Sequence, residues 1–203
     1  MNAAALAIIF CVIYYITAIL LCRGLRLNVR YMAVGGVLSA VTLILSCILI
    51  PLPTGSVITM GATIPLMVLA LIGDYRLAIV TGWITGLLCM ILVPAWQPIH
   101  WAQIFAEHLV CFSCLGLAGI FGSDKKWKCI CGCVLAMTVK LIAHIFAGAV
   151  FFAANAWDGW GAWAYSLSYN LSSGIPELVL FTVVVTLLPL QRLKSVWRNL
   201  MSH

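Results

Sequence analysis

From Ala3 to Leu188 the chain is an almost continuous series of apolar stretches, separated by loops of only a few residues. A helix of about 20 apolar residues spans a bilayer's hydrocarbon core. Stretches of this kind fall near residues 3–22, 31–52, 57–73, 77–95, 101–121, 129–154 and 164–189. The third is short and begins beside Pro51, Pro53 and Gly55. Only 8% of the 203 residues are charged and 65% are hydrophobic, where a soluble domain carries about 25% charge. So few charges cannot coat a water-facing globule, which excludes a soluble enzyme, a disordered tail and a nucleic-acid-binding domain. The expected fold is an all-α polytopic membrane protein with lipid as its main solvent and no soluble domain.

Basic residues test this topology. Arg23, Arg26 and Arg30 follow the first span, Arg76 the third, and Lys125, Lys126 and Lys128 the fifth, while Arg192, Lys194 and Arg198 follow the seventh. Ten of the eleven Lys and Arg residues thus occupy alternate loops, and the intervening loops near 53–56, 96–100 and 155–163 carry none. Cytoplasmic loops collect Lys and Arg, so the expectation is a carboxyl terminus in the cytoplasm and an amino terminus outside, which an odd number of spans requires. A cleaved signal peptide is the alternative for the first span. It lacks a basic start, and Leu20-Leu21-Cys22 is a poor small-residue cleavage site. Trp96, Trp101, Trp157, Trp160 and Trp163 are expected to anchor the outer interface, and Trp127 and Trp197 the inner one.

Glu107, His108, Lys140, His144, Asn170 and Glu177 lie within the spans. Ionisable residues are costly in hydrocarbon and need a partner or a task. At about 1.5 Å per residue, Glu107, His144, Tyr165 and Asn170 come from three spans at depths of about 2–15 Å below the outer rim. That convergence predicts an outward-facing pocket; the plainer alternative is hydrogen bonding between neighbouring helices. Lys140 and Glu177 both fall about 20 Å down, and opposite charges at one level on consecutive antiparallel helices predict a structural ion pair. Gly36 and Ala40 form a small-x-x-x-small face on the second span, suited to close approach by another helix. Gly82, Gly86 and Gly148 are expected in close helix packing. The nine cysteines mostly lie in apolar runs, where they act as small hydrophobes, so neither disulfides nor a metal site is expected. No cofactor motif stands out, and no phosphate-binding G-x-x-x-x-G-K-[ST] loop is present.

The string Gln103-Ile104-Phe105-Ala106-Glu107-His108-Leu109-Val110, continuing to Leu115-Gly116-Leu117-Ala118-Gly119-Ile120-Phe121, resembles the fourth helix of thiamine-specific S components. These are the substrate-binding membrane subunits of energy-coupling-factor (ECF) vitamin transporters. Lys140, His144-Ile145-Phe146-Ala147-Gly148, Trp157-Asp158-Gly159-Trp160-Gly161-Ala162, Ala164-Tyr165-Ser166-Leu167 and Asn170 are similar to that family's H-F-I-A-G, W-x-G-W-G-A and Y-S-L-x-x-N elements. The resemblance covers roughly residues 31–190.

It implies a six-helix S-component bundle at 31–190, an extra transmembrane helix and loop at 1–30, and a basic cytoplasmic tail at 191–203, in a bacterial cell membrane. It implies ligand contacts at Glu107, His144, Tyr165 and Asn170, and a lid near 51–58. It also implies docking, through Gly36 and Ala40, on a transmembrane coupling protein served by two cytoplasmic ATPase subunits. His108 stands where the family has tyrosine, Phe152 and Ser56 stand where it has tryptophan, and Trp96 is expected to supply an aromatic face instead. The implied function is capture of thiamine for ATP-driven uptake. A thiamine precursor or another vitamin is the close alternative. An intramembrane hydrolase using Glu107 and His144 and a purely structural subunit are alternatives of other classes.

Overall fold

The computed structural model describes residues 2–202. Helices α1 (Ala3–Leu21) and α2 (Val29–Ser46) are followed by a hairpin of β1 (Leu49–Pro51) and β2 (Val57–Thr59), paired antiparallel with Ile50 opposite Ile58. Then come α3 (Ile64–Ile72), α4 (Tyr75–Leu92), a composite helix α5 (Trp101–Gly119), α6 (Lys126–Phe151), α7 (Ala162–Leu187) and α8 (Leu190–Ser202). Six of these (α1, α2, α4, α5, α6 and α7) are long and apolar enough to cross a membrane.

The third expected span, 57–73, is not a full transmembrane helix. Its helix has nine residues and rises only about 14 Å, less than half of a hydrocarbon core of about 30 Å. Pro51, Pro53 and the left-handed Gly55 and Gly61 turn the preceding residues into a hairpin and a turn. The connection from Cys47 to Ile72 still carries the chain from one end of the bundle to the other: Thr59 reaches Glu177 partway along α7, and near the end of α3 the Leu71 carbonyl accepts from the Ser123 hydroxyl.

The basic loops gather at that second end. Arg76 donates to the Arg23 carbonyl at 3.4 Å, Lys194 to the Ser123 carbonyl at 2.7 Å, and Arg30 to the Met201 carbonyl at 3.3 Å. The expected tail folds into α8, an amphipathic helix that turns Leu190 and Trp197 toward the bundle. Trp197 is not a free anchor: its ring packs on Gly73 and lies 5.8 Å from the Tyr31 ring. Asp124 precedes α6, and the Lys128 ammonium beside it, at 2.8 Å, holds its carboxyl below the usual carboxylate range.

Small residues let the helices approach to backbone contact, which replaces the hydrophobic drive that lipid cannot supply. Gly82 and Gly86 of α4 lie directly on the α5 backbone; a methyl group at Gly86 would sit 2.6 Å from the His108 carbonyl oxygen. On α2 the inward face is Gly35 and Ser39, packed on Thr81 and hydrogen-bonded to Thr85 at 2.7 Å. Gly36 and Ala40, one residue further round, are exposed on the outer face. This difference is testable. Gly86→Ala is expected to lower stability by about 1–3 kcal/mol through overpacking, read as a reduced thermal midpoint in detergent. Gly36→Ala, with nothing within 4 Å of the added carbon, is expected to leave the midpoint unchanged or slightly raised, since alanine is the better helix former.

Candidate functional site

At the end opposite the basic loops, a cavity of about 310 Å³ opens between α5, α6 and α7. Its mouth is formed by Val57 of the hairpin, Ala95 to Gln97 before α5, and Phe152 and Asn155 after α6. Its floor is formed by Met137, Lys140, Gly174 and Glu177. The volume lies at the low end of the roughly 300–1,000 Å³ typical of small-molecule sites.

Glu107 is presented by a break in helical regularity. Residues Ile104–Leu109 form a π-helical turn between a short α-helical start and an α-helical Val110–Ser113, after which α5 tightens to a 3₁₀ helix over Cys114–Gly119. Wide turns of this kind shift a side chain round the helix and often mark functional sites. The Glu107 carboxylate accepts from His144 Nδ1 at 2.8 Å and from Gln103 Nε2 at 2.7 Å. An ionised carboxylate has about four lone-pair sites, so it can still accept from a ligand. Below it, Lys140 Nζ donates to Glu177 Oε2 at 2.6 Å, with both side chains largely buried. Glu177 Oε1 accepts from the Thr59 hydroxyl at 3.0 Å, tying the hairpin to α7 beside Pro176. This pair lines the same cavity as Glu107, so the two polar levels form one site.

The structure brings Glu107, His108, His144, Tyr165, Asn170, Phe152 and Trp96 to this one cavity. His108 is buried, and its ring nitrogens face backbone: Nε2 lies 2.5 Å from the Trp96 carbonyl and Nδ1 3.5 Å from that of Gln103. It holds the Trp96 segment against α5. Asn170 Nδ2 donates to the Ser166 carbonyl at 2.8 Å and the His144 carbonyl at 3.3 Å, leaving its Oδ1 as the group offered to the cavity. Gly148 allows this approach of α6 and α7: a methyl group there would fall 3.0 Å from Ser166 Cβ. Gly36 and Ala40 are not part of the cavity.

Among the lining residues that the sequence does not single out, Gln103 and Tyr169 make side-chain hydrogen bonds at the site. Gln103 is 4% exposed and bridges the Ile99 amide to Glu107. Its i, i+4 spacing from the glutamate was the available signal. Tyr169 lines the cavity, packs on Tyr165 with ring centroids 5.5 Å apart, and donates to the Gly55 carbonyl at 3.1 Å. Thr54, Ser56 and Ser172 add a cluster of hydroxyls, 2.7–2.9 Å apart, between hairpin and α7. Among the described residues, no three His, Cys, Asp or Glu side chains converge as metal ligands.

A polar, aromatic-lined chamber of small-molecule size, enclosed by apolar helices, defines a membrane protein built to hold a solute. Residues 32–196 match the family described as Thiamine transporter protein (Thia_YuaJ), and the chain belongs to that family. It is a transport protein, which leaves no place for the hydrolase alternative. Thiamine transporter ThiT of Bacillus subtilis (strain 168) is 27% identical over 157 residues, 71% of this chain and 81% of that protein. Thiamine transporter ThiT of Lacticaseibacillus paracasei is 30% identical over 139 residues, 62% and 69% of the respective chains. The fold is similar to a solved structure of ThiT from Listeria monocytogenes, with a TM-score of 0.68 at 22% identity, covering 84% of this chain and 96% of that one.

Breaking a buried ion pair strands a charge at a cost of about 3–5 kcal/mol, whereas replacing both partners by apolar groups is often neutral. Glu177→Gln is therefore expected to lower folded yield and the melting midpoint, and Lys140→Met with Glu177→Leu to recover most of the loss. Size-exclusion profiles and thermal midpoints of the purified variants check both.

Proposed function

We propose that this chain is the substrate-binding subunit of an ECF-type importer and that its cavity captures thiamine from outside the cell. The observation that carries this reading is the Glu107 carboxylate, held by His144 and Gln103 at the convergence of α5, α6 and α7 within the family-matched segment. The amino group of an aminopyrimidine donates one N–H to Glu107 and can donate the other to the Asn170 oxygen. The thiazolium cation is drawn to the aromatic faces of Trp96, Tyr165 and Tyr169, with Phe152 closing the mouth. Lys140, His108 and Glu177 keep the floor and the Trp96 segment in place.

In this reading the basic end faces the cytoplasm, which puts the cavity mouth and the amino terminus outside and α8 inside. Residues 31–190 form the six-helix S-component domain, 1–30 an added transmembrane helix and loop, and 191–203 a basic cytoplasmic segment. Import against a gradient needs energy, and the sequence has no phosphate-binding loop of its own. A transmembrane coupling protein with two cytoplasmic ATPase subunits supplies it, docking on the outer face of α2 at Gly36 and Ala40. That face is exposed and free of bulky side chains at those two positions. The hairpin at Leu49–Thr59 is the lid.

Titration of the purified chain with thiamine, followed by tryptophan fluorescence, tests the reading because Trp96 lines the cavity. Saturable quenching with Kd below about 1 µM is expected, a binding free energy of at least about 8 kcal/mol. Losing a hydrogen bond to a charged group costs about 1.5–3 kcal/mol, so Glu107→Gln is expected to raise Kd about 10- to 150-fold. No response to thiamine but saturation by a precursor or another vitamin would reassign the substrate. No response to any of them would overturn the reading.

A further inference from the structure

Helix α1 lies outside the family-matched residues 32–196, yet it packs on the two helices that carry Glu107 and His144. Ala7, Tyr14 and Ala18 are buried on its inner face. The Phe10 ring lies 5.4 Å from Phe146 of α6, two residues beyond His144. The next turn of α1 carries Tyr14 and Tyr15, whose rings meet edge to face at 5.6 Å and diverge along α5. Tyr14 shares a 2.6 Å hydrogen bond with Ser113, which in turn donates to the Leu109 carbonyl closing the π turn. Tyr15 donates to the carbonyl of Phe105 at 2.7 Å.

Phe105 lies inside the π turn, two residues before Glu107. Its side chain is 50% exposed, on the surface that faces lipid. A widened turn disturbs the regular i to i−4 ladder, and hydrocarbon has no water to satisfy a carbonyl that the ladder leaves under-bonded. The Tyr15 hydroxyl gives the Phe105 carbonyl a partner from another helix, while Tyr14 and Ser113 fix the far end of the same turn.

We propose that α1 is a positioning element for the binding carboxylate: the Tyr14–Tyr15 pair holds the π turn of α5 open and so holds Glu107 at the cavity wall. Tyr15 does not touch the ligand and acts through the Phe105 carbonyl. The proposal rests on the thiamine-binding reading for its effect on affinity, but its structural arm does not.

The experiment uses the full chain with Tyr15→Phe, alone and combined with Glu107→Gln, and with Tyr14→Phe as a second variant. Thiamine affinity and amide hydrogen exchange of peptides covering 104–109 are measured for each. Losing one neutral hydrogen bond corresponds to about 3- to 10-fold. Tyr15→Phe is expected to raise Kd by about that factor, to speed exchange in 104–109, and to leave exchange elsewhere in α5 and α6 unchanged. In the Glu107→Gln background the added Tyr15→Phe is expected to change Kd less than twofold, because the positioned carboxylate is already gone. An equal factor in both backgrounds, or unchanged exchange in 104–109 for both tyrosine variants, would overturn the proposal. If the wild-type chain binds no thiamine, the substrate reading fails and the exchange data alone decide the role of α1.

Discussion

Charges in a lipid-bounded bundle cannot be left alone, and that constraint organises the rest of the structure. Four of the ionisable side chains that line the cavity form two pairs, Glu107 with His144 and Lys140 with Glu177. Each pair crosses a helix boundary, from α5 to α6 and from α6 to α7. Satisfying them therefore requires three helices to meet at a set level and rotation, since an unpaired member would cost several kcal/mol. The space enclosed by that arrangement is the binding cavity. Glycines make the geometry reachable: Gly86 lets α4 support the α5 backbone at His108, and Gly148 lets α7 approach closely enough for Asn170 to bond the His144 carbonyl.

The same constraint explains why the hairpin is attached where it is. Thr59 donates to the Glu177 oxygen that Lys140 leaves available, and Ser56 and Tyr169 link the hairpin tip to α7. Loop, floor and wall thus share hydrogen-bond partners.

Much of this was legible in the sequence because lipid makes polar residues conspicuous. Depth counting placed Glu107, His144, Tyr165 and Asn170 together, and the structure finds them around one cavity. Alternate loops carried the basic residues, and those loops meet at one end. Residues that look ordinary in a sequence were not legible. Hydropathy cannot distinguish a full helix from a strand and turn followed by nine helical residues, so the third apolar stretch reads as longer than its helix. A π turn leaves no mark in composition, and Gln103 reads as a polar residue near a helix start until its bond to Glu107 is seen. The inward face of α2, Gly35 with Ser39, is not separable by sequence from Gly36 and Ala40, because Gly35 and Gly36 are adjacent and only packing sorts them into an inner and an outer face.

The central claim is that a cationic heterocycle sits between α5, α6 and α7 against the Glu107 carboxylate. An experimental density map of the full chain prepared with saturating thiamine tests it most directly. The account predicts ligand density filling the cavity, with the pyrimidine amino group within hydrogen-bond distance of Glu107 and the thiazolium against an aromatic ring. An empty cavity under saturating ligand, or density on a different face of the bundle, would contradict it.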